Sequence, residues 1–182
     1  MRRHLRRGFL CAATVIALAA TGCQVEKPTE PDPPTPSASA LEELQTLPSF
    51  EDTKAQVQSA VDEITSRART IVPAIAFQTP HEGSSETCHR EPYEQTGAQG
   101  YFLPDAIAVR PNVSESDWTK ILAAAKESAQ KIGATDMQVM QDQPGNHDVW
   151  FSGPGGIFIK IGYRGNLVVS GYTGCRLPRD KK

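Results

Sequence analysis

The feature that most constrains this chain is a change in the spacing of its apolar residues at Gly133. Upstream, Val57, Val61, Ile64, Ala68 and Ile71 step by four, three, four and three, which is one stripe of an amphipathic helix. Ser49 with Asp52 three residues on opens that helix, Arg67 and Arg69 suit its C-terminal end, and Pro73 closes it, so the spacing predicts a helix over 50–72. Ser114 and Asp117 open a second helix, with Val113 and Trp118 at the hydrophobic-staple positions. Its stripe is Trp118, Ile121, Leu122, Ala125, Ala129 and Ile132, and Gly133 stands where a left-handed residue stops a helix. Beyond Gly133 the period becomes two. The runs Thr135–Gln141, His147–Ser152, Ile157–Tyr163 and Leu167–Thr173 are separated by Pro144-Gly145-Asn146, Gly153-Pro154-Gly155-Gly156 and Arg164-Gly165-Asn166. These predict an antiparallel meander with one face on the helices.

Between the helices the signals are weaker. Ala74–Thr79 reads as a short strand around Ile75 and Phe77, and Tyr101–Arg110 as another that Pro104 breaks early. Pro80–Thr96 is polar and reads as a long loop. Ser39 with Glu42 opens one or two helical turns bearing Leu41, Leu44 and Leu47. The fold expected is α+β: a two-layer sandwich of two main amphipathic helices on an antiparallel sheet, with a C-terminal four-strand meander and one disulfide.

The N-terminal segment follows a different logic. Arg2, Arg3, Arg6 and Arg7 precede a 12-residue apolar run, Phe9 to Ala20. A bilayer span needs about 20 residues, so this run reads as the core of an export signal over 1–22. Arg6-Arg7-Gly8-Phe9-Leu10 resembles a twin-arginine address, and the general secretory route stays equally open. Leu18-Ala19-Ala20-Thr21-Gly22-Cys23 resembles a lipobox, which makes Cys23 the expected lipidation site. Two or three acyl chains, at about 0.8 kcal/mol per buried methylene, anchor stably where one would not. Five prolines between Gln24 and Ala40 make 23–40 a disordered, semi-stiff tether carrying the domain. The folded domain is then expected over 41–178, with 179–182 a basic tail.

Charge and cysteine usage narrow the function classes. Removing residues 1–22 takes four of the 19 basic residues and none of the 21 acidic ones, so the remainder carries −6. That sign argues against nucleic acid as a partner and against a polybasic grip on anionic lipid. Of the four cysteines, Cys11 leaves with the signal and Cys23 carries lipid. The remaining pair, Cys88 and Cys175, is expected to be a disulfide in an exported protein.

No stretch carries a catalytic, metal or cofactor set. His81, Glu82, His89 and Glu91 share one loop without a metal-ligand spacing, and Cys88 beside His89 is better used in the disulfide. Asp142, His147 and Asp148 flank a turn and read as polar turn residues. The glycine-rich Ser152–Gly156 joins two strands, whereas a phosphate cradle opens a helix. Asn112-Val113-Ser114 matches a glycosylation sequon, but Ser114 is explained as a helix cap. Trp150, Phe158, Tyr163 and Tyr172 fall in the meander, and those on its outer face would form an exposed aromatic patch of the kind that marks a partner site.

From Ser49 to Leu177 the chain resembles the small LppA-type lipoproteins of mycobacteria and related actinobacteria. The resemblance rests on Ser49 and the helix behind it, Cys88, Ser114-Glu115-Ser116-Asp117-Trp118, Lys131-Ile132-Gly133-Ala134-Thr135 and Gly171-Tyr172-Thr173-Gly174-Cys175. It departs from the family in its more proline-rich tether and in stopping soon after Cys175. The resemblance implies an envelope lipoprotein of undetermined activity and transfers no catalytic residues. The expected function is therefore that of a lipid-anchored envelope module at the extracytoplasmic face of the cell membrane. It would bind or assist an unidentified envelope protein or lipid without catalysis and without a cofactor. A small envelope hydrolase and a carrier of an apolar envelope ligand are the alternatives.

Overall fold

The computed structural model describes residues 35–182. Three helices, α1 (Pro36–Thr46), α2 (Phe50–Ile71) and α3 (Glu115–Lys131), accompany eight strands. The strands are β1 (Phe77–Gln78), β2 (Ser84–Thr87), β3 (Gln99–Phe102), β4 (Ala106–Ala108), β5 (Asp136–Gln143), β6 (Asn146–Ser152), β7 (Phe158–Arg164) and β8 (Asn166–Tyr172). They form one antiparallel sheet in the order β1-β4-β8-β7-β6-β5, and β3, itself paired with β2, also joins β8 through Phe102 and Tyr172. This is the α+β arrangement that the change of period predicts.

Both long helices lie on one face of the sheet. Ser49 and Ser114 accept hydrogen bonds from the amides of Asp52 and Asp117, and each hydroxyl donates back to the same aspartate carboxylate at 2.7 Å. At the C-terminus of α3 the Gly133 amide donates to Gln130 and the Ala134 amide to Ala129, with Gly133 at φ 78°. That double closure needs a left-handed residue, which glycine adopts without steric cost. Val57, Val61, Ile64 and Ala68 of α2 meet Trp118, Ile121, Ala125 and Ala129 of α3 over Phe151, Ile159, Ile161, Leu167 and Val169 of the meander. At Gly171 α2 approaches β8 closely: a Cβ there would lie 2.6 Å from Val57 Cγ1.

A second apolar cluster, Leu44, Cys88, Ala98 and Leu177, lies beneath α1. The Cys88–Cys175 disulfide runs beside it. Arg176 is buried there, donating from Nη1 and Nη2 to the carbonyls of Cys175 and Pro154. Burial lowers its pKa, opposed by the nearby Tyr93 and Glu43.

Three local features go beyond the sequence expectations. Helix α1 starts at Pro36 with Thr35 as its cap, so part of 23–40 is helical and Ser39 is an interior residue. Proline at the first helical position has its φ preset, and Ala40 and Leu44 gain burial. The 179–182 segment, expected as a basic tail, lies against the domain. Arg179 pairs with Asp52 at 2.7 Å, and the Lys182 ammonium donates to the Gln45 carbonyl at 2.9 Å near the end of α1. Finally, β2 lies inside the loop expected over Pro80–Thr96; all four of its residues are exposed, so they carry no apolar alternation that would signal a strand. The expected signal, Cys23 and residues 24–34 lie outside the described residues.

Candidate functional site

Along β6 and through most of β7 and β8 the side chains alternate, one set directed to the helices and the other to the open face. On β6, Val149 and Phe151 are buried, while Asp148, Trp150 and Ser152 face outward and remain partly exposed. Register places Ser152 beside Phe158, Phe158 beside Tyr172, and Tyr172 beside Phe102. The result is a row of rings across four strands. Trp150 and Phe158 have centroids 5.0 Å apart, Phe158 and Tyr172 5.3 Å, and Tyr172 and Phe102 4.2 Å in a stacked pair. Of the four aromatic residues expected in the meander, Trp150, Phe158 and Tyr172 share this face. Tyr163 is on the helix side, donating to the Pro111 carbonyl at 3.1 Å. Phe102 completes the row and is 39% exposed. The sequence shows it inside a broken strand, and only the β3–β8 pairing brings it to Tyr172.

Polar groups hold the row in place. Asp148 accepts from Trp150 Nε1 at 3.0 Å and pairs with Lys160 at 3.2 Å, while the Lys160 ammonium lies 4.9 Å from the Trp150 ring centroid. The Tyr172 hydroxyl donates to the Glu86 carboxylate. Burial, followed by this bond to Glu86, pushes the Tyr172 hydroxyl far above the ordinary phenol range. Rings fixed by such bonds lose little freedom when a partner covers them.

Grooves flank the row on both sides. One, of about 610 Å³, has Phe102, Tyr172, Tyr93 and the disulfide for its apolar wall, with His89, Arg90 and Glu91 among its lining residues. The other, of about 470 Å³, is polar and includes Gln141, Asn146, Asp148, Lys160 and Asn166. Both volumes fall in the range of small-ligand sites. His81 and Glu82 are exposed and line neither groove; among the described residues no cluster of three His, Cys, Asp or Glu side chains suits a metal.

Of the residues expected as polar turn residues around the β5–β6 turn, Asp142 is exposed and His147 is buried. His147 is 4% exposed and stacks on Trp118 at 4.6 Å. Its Nδ1 lies 3.1 Å from Asp142 Oδ1 and its Nε2 3.1 Å from Glu115 Oε2. Glu115 also accepts from the Gly145 amide at 2.8 Å. This cluster faces the helices, away from the aromatic row, and it ties the start of α3 to the β5–β6 turn. Asp148, next in sequence, is on the opposite face with Trp150. Glu115 is the member that sequence reasoning missed, because it stands 32 residues from His147.

A family model described as LppA, a lipoprotein confined to pathogenic Mycobacterium, matches residues 25–179. The crystal structure of the LppA protein of Mycobacterium tuberculosis superposes with a TM-score of 0.56 at 13% identity, covering 79% of this chain and 86% of that one. A DUF4853 family protein from Actinomyces odontolyticus superposes with a TM-score of 0.53 at 13% identity, covering 73% and 70%. At that identity the two structures support the fold alone. No curated protein matches the chain.

Proposed function

The chain belongs to the LppA family of lipoproteins, and from that premise we propose that it is an envelope binding module, anchored through lipid on Cys23 and docking its ligand on the open face of the sheet. The anchor reading rests on the run Leu18–Cys23 and on membership of a lipoprotein family. No helix among the described residues is long and apolar enough to cross a membrane. The observation that carries the binding reading is the row Trp150, Phe158, Tyr172 and Phe102, in which Phe102 is exposed, Trp150 and Phe158 are partly exposed and Tyr172 is buried between its neighbours. The helix-facing side is filled by close-packed side chains, so the outer face is where a partner gains most by covering apolar rings. Beside the rings, Asp148 is paired with Trp150 and Lys160, and Glu86 with Tyr172, so these groups hold the rings in place. The module would act at the extracytoplasmic face of the cell membrane.

Two experiments test this reading. Cys23→Ala should release a folded domain from the membrane fraction; a variant that stays membrane-bound overturns the anchor. A photo-crosslinking residue at Trp150 or Phe158, activated in intact cells, should give adducts that the same residue at the exposed Glu127 of α3 does not. Equal labelling from both faces, or none from the sheet face, overturns the docking surface.

A further inference from the structure

We infer that His147 is a pH-operated catch: protonated, it ties the β5–β6 turn to the start of α3, and on losing its Nδ1 proton it lets Asp142 go. The inference does not depend on the ligand face. Asp142 and His147 are directly opposed across β5 and β6, and Tyr163 of β7 is next in the same row. Glu115, the first residue of α3, reaches the ring's other nitrogen. Both nitrogens therefore lie 3.1 Å from a carboxylate oxygen. A neutral imidazole carries one N–H and can donate to only one of the two; the imidazolium donates to both. In the neutral ring, one nitrogen lone pair would face a carboxylate oxygen with no hydrogen between them. The ring is buried and stacked on Trp118, so it stays in place and a carboxylate must move.

The two carboxylates are not held equally. Glu115 is tied a second time, its Oε1 accepting from the Gly145 amide at 2.8 Å. The Asp142 side chain is 74% exposed, and among the described residues its bond to His147 is the only one it makes. Water takes over from His147 when Asp142 leaves, so this is the bond that opens. Neither carboxylate has another cationic partner among the described residues. The remaining groups near the ring are already committed. The Tyr163 hydroxyl donates to the Pro111 carbonyl, and Asp117 of α3 is bonded to Ser114 and Lys120. Asp148 is on the opposite face with Trp150 and Lys160. Loss of the Nδ1 proton thus leaves Nε2–H on Glu115 and frees the end of β5. Gln141, Asn146 and Asp148, which flank that end, line the polar groove of about 470 Å³ on the open face. The catch therefore sets how well one end of that groove is ordered.

Nitrogen NMR of the full-length chain with isotope-labelled histidine tests this from about pH 5 to pH 8, the range in which histidine changes charge. At the acid end both ring nitrogens of His147 should give protonated shifts. At the alkaline end Nε2 should keep its proton and Nδ1 should have lost it. Over the same range, amide hydrogen-exchange protection across residues 142–146, corrected for the pH dependence of exchange itself, should fall roughly three- to tenfold, the worth of one hydrogen bond. A side-chain amide offers its oxygen to an N–H or its NH2 to a lone pair, so it satisfies both states of the ring. Asp142→Asn should therefore make the protection independent of pH, with the neutral ring protonated on Nε2. Glu115→Gln should do the same with the neutral ring protonated on Nδ1, facing Asp142. Both positions are exposed, so the fold tolerates them. A single protonation state of His147 across that range overturns the inference. So does protection that does not follow the His147 titration, a neutral ring protonated on Nδ1 in the natural chain, or a pH response that both amide variants retain.

Discussion

At the residue scale, His147 shows how far a side chain's role can lie from its neighbours in sequence. Its ring fills the space against Trp118 while both nitrogens reach carboxylates on different elements. His147→Ala should cost about 2 kcal/mol, because it opens a cavity and unties α3 from the β5–β6 turn. Asp142→Asn should cost under about 1 kcal/mol, since that carboxylate is largely exposed. Urea unfolding of the two variants checks the order. Gly171 poses the opposite constraint. Gly171→Ala would press a methyl into Val57, and overpacking of this kind typically costs about 1–3 kcal/mol. A melting temperature equal to that of the natural chain would contradict the close approach of α2 to β8.

At the scale of elements, the helix starts are the parts most legible from sequence. Ser49 and Ser114 cap their helices as the spacing predicts, each accepting from the amide of the aspartate three residues on, because a cap is satisfied within four residues. Both aspartate pKa values are lowered, first by the serine hydroxyl and then by Arg179 for Asp52 and Lys120 for Asp117. The folded chain thus binds protons less readily than the unfolded one. The stabilisation is complete above the ordinary carboxylate range and is lost as pH falls through the lowered folded values. Stability should therefore decline on acidification below about pH 4, by the ordinary carboxylate values. Replacing both serines by alanine should flatten that decline, which urea midpoints from pH 7 to pH 3 would show. Helix α1 and strand β2 were less legible. The first depends on burial beneath the C-terminal segment, and the second is held by backbone pairing with β3 while exposing every side chain.

At the scale of the whole molecule, the disulfide and the sheet order tie distant segments together. The Cys88–Cys175 loop spans 87 residues, which the chain-entropy account converts to roughly 4–5 kcal/mol. That is comparable to the net stability of many domains. Cys88→Ser should lower the melting temperature clearly and loosen the groove beside Tyr93 and Tyr172. Calorimetry checks the first effect and limited proteolysis near Cys88 the second. What the sequence determined by itself was local or periodic: the change of period at Gly133, the two capped helices and the meander. Those signals repeat within a few residues, so they survive without knowledge of the fold. What only the tertiary structure decided was which distant residues meet. The β3–β8 pairing brought Phe102 to Tyr172, the packing of α3 brought Glu115 to His147, and the sheet order left β5 as a free edge. These depend on pairing and packing between segments far apart in sequence, and no spacing along the chain encodes them.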